Sequence, residues 1–392
     1  MNDLFARRRT LVLKRGKERV AANRHPWIFA GAIHTERGPE DAAIADLVDG
    51  EGKRIASGFY SRHSQIRLRA LTFGDEPLTA ETIAGRLSAA IARRAPLFDD
   101  ATNAARVVHA EGDDLSSIIV DRYHDVLVVE LANAGAEQVK PLIVETLQRE
   151  LAPRAIFFKN DIPARKLEQL TTEDETVGEG AEASTRFLES GLMFRVDPAG
   201  GQKTGFFLDQ RENRRLTRGL ASGKRVLNLF SYTGAFGVYA AAGGAASVTN
   251  VDVSAPAIEQ ARENHVLNGS SADFVVADAF QYVRQHHGPF DLVVCDPPAF
   301  AKSRNEVDRA ARGYKDINLY ALRMVESGGM MMTFSCSGHM PLDLFQKVIF
   351  AAALDAGRRV SFVRRLTAGP DHPVSLHAPE GEYLKGFLLE VH

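Results

Sequence analysis

The sequence predicts an α/β protein whose C-terminal half is a doubly wound, largely parallel sheet, preceded by a small N-terminal β-barrel and a small central α+β domain. Three observations carry that expectation. From residue 192 onward, short apolar runs alternate with helix-forming stretches, the pattern of strands buried on both faces between helices. Inside that pattern, residues 225–237 (RVLNLFSYTGAFG) read as strand, small-residue turn and helix, the entry of a nucleotide-binding α/β unit. Residues 10–75 instead carry short β-rich runs parted by Gly, Asp and Pro at the spacing of a small barrel. With 392 residues, two or three domains are expected, and the divisions fall at 1–75, 76–190 and 191–392.

The barrel runs are residues 10–13, 27–29, 54–59 and 66–71, with the only tryptophan, Trp27, read as a core residue. Residues 76–100 have helical spacing of apolar positions. Strands follow at 106–109, 117–120, 126–131 and 155–159 around a helix over 137–151, with 121–125 (DRYHD) read as a turn. Residues 171–184 (TTEDETVGEGAEAS) read as a linker. Charged content of 25% and a net charge of −2 describe an ordinary globular chain and exclude a generally basic nucleic-acid binder. The N-terminus departs from that mean: Arg7, Arg8, Arg9, Lys14, Arg15, Lys17, Arg19 and Arg24 face the single acid Glu18, a segment that could meet phosphates. No apolar run of about 18 residues exists to span a membrane, and no apolar signal follows the basic start. Two cysteines, Cys295 and Cys336, make neither a disulfide framework nor metal-ligand spacing, so no metal is expected and a reducing cytoplasm is.

In the C-terminal half a strand at 192–196 leads to a charged helix ending near Leu220. The segment 197–211 holds glycines around Lys203 and Thr204 but lacks the G-K-[ST] order of a P-loop. After the strand and turn at 225–234 come a helix over 235–242, a strand over 248–252, a helix over 255–267 and a strand over 274–276. Further strands are expected at 290–295, 330–334, 360–366 and 384–391. Ligands of open α/β sheets gather at the carboxyl ends of the strands, where Asn228, Tyr232, Asp252, Asp278, Asp296 and Cys336 fall.

An acid about 20 residues past the turn suits a ribose hydroxyl pair, which assigns that role to Asp252. Asp278 would take an adenine amino group or cap the next helix, and the Gly234 turn would lie under the rest of the ligand. With no phosphate-binding lysine, S-adenosylmethionine fits this set. Asp296-Pro297-Pro298 ends a strand, and two prolines that cannot donate to a ladder hold the acid rigidly. Such an acceptor can grip the amino group and ring nitrogen of a flipped base. A thiolate at Cys336 has the nucleophilicity to add to C6 of a pyrimidine, which makes C5 electron-rich enough to take a methyl group. Cys295 ends an apolar strand and reads as buried.

Seven stretches then match one family in place: HPWIFAGAI (25–33), HAEGDDLSSIIVDRY (109–123), GQKTGFFLDQRENR (201–214), VLNLFSYTGAFGVYA (226–240), CDPPAF (295–300), ARGYKDIN (311–318) and FSCSGHM (334–340). Together they resemble the RlmI-type family of large-subunit ribosomal RNA cytosine-C5 methyltransferases over nearly the whole chain. The resemblance implies an N-terminal PUA-like barrel, a central linking domain and a C-terminal Rossmann-like class I methyltransferase domain. It implies Cys336 as the nucleophile, Asp296 as the contact to cytosine N3 and its amino side, and S-adenosylmethionine as cofactor. The cofactor set on this reading is Phe207, Asp209, Arg211, Phe230, Ser231, Tyr232, Gly234, Asp252, Val253, Ser254, Asn264, Asp278, Ala279, Phe280, Asp296 and Pro297. Ala299 stands where some RNA cytosine methyltransferases carry a second cysteine, so release of product must use another base or water. Two other functions remain open: methylation of an amino group of guanine or adenine, for which D-P-P and an aromatic suffice, and a non-catalytic ribosome-assembly role. The expected partner is large-subunit ribosomal RNA, and a homodimer is compatible with the sequence.

Overall fold

The computed structural model describes residues 2–17, 19, 22–178, 183–201, 203–286 and 288–392. Glu18, counted above in the basic segment, and Gln202, in the glycine-rich stretch, lie outside these residues. The chain divides into two compact units: Met1–Phe187 with Val196–Phe206 and Pro370–Gly381, and Leu188–Arg195 with Phe207–Gly369 and Glu382–His392. No helix among the described residues is long and apolar enough to cross a membrane.

The first unit holds two sheets. Six strands, β1 (Arg8–Leu13), β2 (Trp27–Phe29), β3 (Ile33–Arg37), β4 (Ile44–Val48), β5 (Arg54–Tyr60) and β6 (Ile66–Phe73), pair in the order β2-β6-β5-β4-β1-β3. All of these pairs are antiparallel except β1 with β4. Alternation sets their inner face: β1 buries Arg9, Leu11 and Leu13 in turn. The second sheet runs β11-β10-β9-β8-β7, from β7 (Ala104–His109), β8 (Ile118–Tyr123), β9 (Val126–Leu131), β10 (Ala155–Phe158) and β11 (Glu175–Val177). The helix Ala80–Arg94 packs on it, started by a capping box between Thr79 and Thr82. Phe59 and Leu71 of the first sheet share a core with Val108, Val129 and Phe158 of the second, so the barrel and central sheet form one unit.

Three sequence expectations change here. The stretch 121–125 is not a turn throughout: Asp121–Tyr123 continue β8, and only His124 and Asp125 make the turn, His124 with φ +54°. Asp121 stays in the strand, paired with Arg106 on one side and Val128 on the other, and its buried carboxylate accepts from Arg106 Nε (2.7 Å) and Nη2 (2.9 Å) and from Thr204 Oγ1 (2.6 Å). The acidic linker contains an edge strand, β11, paired antiparallel with β10. The N-terminal basic run is neutralised in part, with Lys14, Arg15, Lys17 and Arg19 exposed. Arg7 pairs with Asp41, Arg8 with Asp46, and the buried Arg9 with Glu36, while Arg24 lies over the Phe73 ring. Trp27 is half-buried, donating from Nε1 to Glu111 at 2.8 Å.

A two-stranded sheet of β12 (Thr185–Glu189) and β13 (Leu192–Val196) precedes the catalytic-type fold. In the second unit seven strands pair in the order β16-β15-β14-β17-β18-β20-β19. They are β14 (Arg225–Leu229), β15 (Ser247–Asp252), β16 (Asp273–Val276), β17 (Phe290–Cys295), β18 (Val325–Ser335), β19 (Val360–Leu366) and β20 (Lys385–Val391). The first five are mutually parallel and β20 is antiparallel to both its neighbours. Strand order reverses at β14, between β15 and β17, which opens a crevice at the carboxyl ends. β14 and β17 bury apolar residues on both faces: Leu227, Val293 and Met331 join one core, Val226, Leu292 and Met332 the other.

Candidate active site

The turn after β14 is shaped by left-handed backbone at three places: Phe230 (φ +57°), Tyr232 (φ +47°) and Gly234 (φ +75°). Two non-glycine residues in the left-handed region fold the turn tightly at the carboxyl end of β14. Gly234 is obligatory on two counts, since a Cβ there would also sit 2.7 Å from Ala261 Cβ. The helix Ala235–Ala242 starts directly behind it, with its first N–H groups toward the crevice.

Asp252, at the end of β15, accepts from Tyr232 N at 2.8 Å with one oxygen and from Ser254 N at 2.9 Å with the other. Each carboxylate oxygen has a second lone pair, so the aligned pair can still receive two ribose hydroxyls. Ser254 caps the helix Ala255–Leu267, and Val253 beside it is 71% exposed at the crevice edge. Asn264 does not reach the crevice. It is wholly buried, donating to Thr233 O (2.9 Å) and accepting from Arg195 N (3.0 Å), so it braces the turn from beneath. Asn228 is likewise interior, bonded to Asn250 across the strands at 2.9 Å, rather than at the rim.

Asp278 is an N-cap, accepting from Gln281 N at 3.0 Å with one oxygen. Ala279 is buried behind it, and Phe280 stands edge-on to Phe230 and tilted against Phe300, giving an apolar wall beside the acid. Phe207 and Tyr232 meet edge to face at 5.2 Å. Asp209 accepts from the Tyr383 hydroxyl at 2.6 Å. Arg211 points the other way, into a buried cluster where Glu189 receives Arg214, Arg211 and the Tyr239 hydroxyl. It fixes the helix Arg211–Leu220 there, so its side chain is a brace in this structure.

The ends of β17 and β18 come together. Asp296 accepts from Gln210 Nε2 at 2.9 Å, and Gln210 is held in turn by Asn213 Nδ2 on its carbonyl oxygen. Because an ionised carboxylate can only accept, the Gln210 amide lies with its NH₂ on Asp296, which leaves its oxygen to Asn213 Nδ2. The Cys336 thiol lies 3.7 Å from Pro297 O, and Ser337 Oγ donates to Ala301 O at 2.6 Å, tying the two loops side by side. Cys336 is half-buried and reachable; Cys295 is fully buried, and burial pushes its thiol far above the ordinary value. Gln210 and Lys385, which touches the Cys336 loop, were not singled out from the sequence. Gln210's signal was its place inside the D-Q-R triplet between two residues that were.

A family model described as S-adenosylmethionine-dependent methyltransferase matches residues 113–384, and one described as a PUA-like domain matches residues 11–73. "Ribosomal RNA large subunit methyltransferase I" of Shewanella denitrificans is 43% identical over 97% of this chain and 98% of its own length. The protein of that name from Klebsiella pneumoniae strain 342 is 42% identical over 100% and 99%. The chain belongs to this family of S-adenosylmethionine-dependent methyltransferases. A Streptococcus mutans chain described as a SAM-dependent methyltransferase shares the fold, with TM-score 0.82, 21% identity, and 97% and 99% of the two chains covered. A methyltransferase solved with SAH does so with TM-score 0.83, 22% identity and the same coverage. The left-handed turn, the Asp252 carboxylate and the aromatic wall fit the family's cofactor without any further group.

Proposed function

We propose that the protein transfers a methyl group from S-adenosylmethionine to C5 of a cytosine in large-subunit ribosomal RNA, in the cytoplasm. The observation that carries this is the pairing of a reachable Cys336 thiol with the Asp296-Pro297 loop at the ends of adjacent strands. The names of the relatives support the RNA class, and the PUA-like barrel suits a structured RNA. Asp252 would take the ribose, Asp278 and the Phe230, Phe280 wall the adenine. Phe207, Asp209, Tyr232 and the 231–234 turn would close on the methionine part. Arg211 and Asn264 would act through the elements they brace.

In the proposed cycle Cys336 Sγ forms a bond to C6 and the ring π electrons move through C4 onto N3, which takes a proton. Asp296, held by Gln210, stabilises that protonated N3 and the adjacent amino group. The bound cofactor supplies the electrophilic methyl group, which C5 accepts. A base then removes the C5 proton, the C5–C6 double bond re-forms as the Cys336 thiolate leaves, and N3 returns its proton. D-P-P alone would serve an amino-group methyltransferase equally well; the cysteine beside it favours C5.

The test uses RNA containing 5-fluorocytidine with the cofactor. Fluorine cannot leave C5 as a proton, so a covalent protein–RNA band is expected on a denaturing gel, absent in Cys336→Ala, which keeps cofactor binding. Methyl transfer by Cys336→Ala at the full rate would overturn the assignment and leave the amino-group reaction.

A further inference from the structure

Lys385 begins β20 and pairs in register with Ser335, the residue before Cys336. It is only 7% exposed, whereas a lysine ordinarily keeps its ammonium in water. Its Nζ donates to Ser337 O at 2.7 Å and to Met340 O at 2.8 Å, so the head group straddles the loop immediately after the thiol. Both partners are neutral carbonyls, which take two of the three N–H groups but leave the charge uncancelled. A clamp alone would be served by an amide or hydroxyl. A buried cation held beside a nucleophile needs a further reason.

The charged and titratable groups around Cys336 come from each neighbouring element. Asp296 follows β17 directly, one residue before the proline that meets the thiol. Tyr314, on the helix Val307–Met324, is buried, and burial raises its phenol above the ordinary value, with Cys336 and Asp296 adding to the rise. His339 is exposed on the same loop as the thiol. Lys385 faces the thiol from β20, its pKa lowered by burial and opposed by Cys336 and by the exposed Glu382. The Asp296 carboxylate works against a thiolate, whereas Tyr314, held neutral by burial, carries no charge against one. Among these groups Lys385 is the buried cation that favours one.

We propose that Lys385 is a positioning residue for Cys336: its ammonium pins the 335–340 loop and holds the thiol toward the thiolate form. The charge effect concerns the thiol itself; its catalytic consequence rests on Cys336 being the nucleophile. A free cysteine titrates near pH 8.5, and an opposite charge within about 4–6 Å shifts an acid by roughly 1–3 units. A free cysteine is only a few per cent thiolate at neutral pH, and a positive charge beside the thiol raises that fraction.

The experiment measures the rate of Cys336 alkylation by iodoacetamide against pH in the full chain, read by mass spectrometry, with buried Cys295 as the unreactive reference. Lys385→Gln keeps an NH₂ that can reach the carbonyls but removes the charge. Its alkylation midpoint is expected to rise by about one pH unit, with a roughly tenfold slower rate at pH 7, and Lys385→Arg to recover most of it. The pH at which methylation reaches half its maximum should rise by the same amount, whereas loss of a clamp alone would lower the rate equally at every pH. An unchanged midpoint in folded Lys385→Gln overturns the proposal. If that variant does not fold, the wild-type midpoint decides: a thiol held toward the thiolate reaches half its alkylation rate below the pH of about 8.5 of a free cysteine, and a midpoint at or above that value overturns the proposal. Failure of the 5-fluorocytidine trap with the alkylation shift intact would remove Cys336 as nucleophile while leaving the lysine–thiol coupling standing.

Discussion

The two halves of the sheet rim are built differently. On the β14–β16 side, ligand-facing atoms are fixed by backbone: Asp252 is aimed by two main-chain N–H groups, Asp278 by one, and the turn by three left-handed residues. On the β17–β18 side they are fixed by side chains from elsewhere in the chain, Gln210 on Asp296 and Lys385 on the Cys336 loop. A backbone-built half recognises an invariant ligand and is set by local sequence. A half built from distant side chains can tune charge and orientation at reacting atoms, and it should lose rate rather than affinity when altered.

The sharpest way to break that contrast is at Asp296. Asp296→Asn is expected to lower kcat at least 100-fold with cofactor affinity within about twofold, because charge stabilisation in the transition state is commonly worth that much. Gln210→Ala should lower kcat about tenfold by releasing the carboxylate from one oriented donor. Single-turnover methylation beside calorimetric titration of S-adenosylmethionine separates the two quantities. Cofactor affinity falling in step with rate in Asp296→Asn would put Asp296 in the cofactor half.

Gly234→Ala tests the other half. The added methyl meets Ala261 at 2.7 Å and forces a left-handed alanine, costing about 1–3 kcal/mol. The turn should shift, weakening cofactor binding roughly tenfold or more while the 5-fluorocytidine trap, at saturating cofactor, still forms. Calorimetry giving wild-type affinity would mean that the turn does not contact the cofactor.

The same contrast explains what could be read from sequence. The helices 235–242 and 255–267 and the strands 290–295 and 360–366 have the bounds that periodicity and turn chemistry implied, because each is specified by residues adjacent in the chain. Asp252 and the Gly234 turn were legible for that reason. Gln210 and Lys385 were not: their roles exist only once β17, β18 and β20 lie side by side, and Lys385 is 48 residues from the carbonyl it clamps. Asn228 failed in the opposite sense. A polar residue near a strand end reads as rim-facing, but here it forms an interior ladder, Asn228 to Asn250 to His265. The basic N-terminus was legible only in part: Arg8 and Arg9 are neutralised by acids 38 and 27 residues away, which no local count of charge reveals, while Lys14, Arg15, Lys17 and Arg19 stay exposed.

That interior ladder gives the smallest expected effect. His265 is 1% exposed, and burial lowers its pKa from the ordinary 6.5 to about 4, so the folded chain holds it neutral. Its ring nitrogens meet Asn250 Nδ2 at 3.2 Å and Ser270 Oγ at 2.9 Å. On acidification the unfolded chain takes up the proton near pH 6.5 and the folded one only near pH 4. Stability from this group is therefore complete above pH 6.5, falls as pH drops toward 4, and stops falling below it. At pH 5.5 the loss amounts to about 1 kcal/mol, a Tm decrease of a few degrees. His109 in the other unit, lowered to about 2 by burial, contributes in the same direction, so the comparison must be with His265→Gln. The variant should be less stable at pH 7.5 but lose less between pH 7.5 and 5.5 than the wild type. Equal acid slopes in the two proteins would mean that His265 is already protonated in the fold, and that its bond to Asn250 Nδ2 does not hold the ladder.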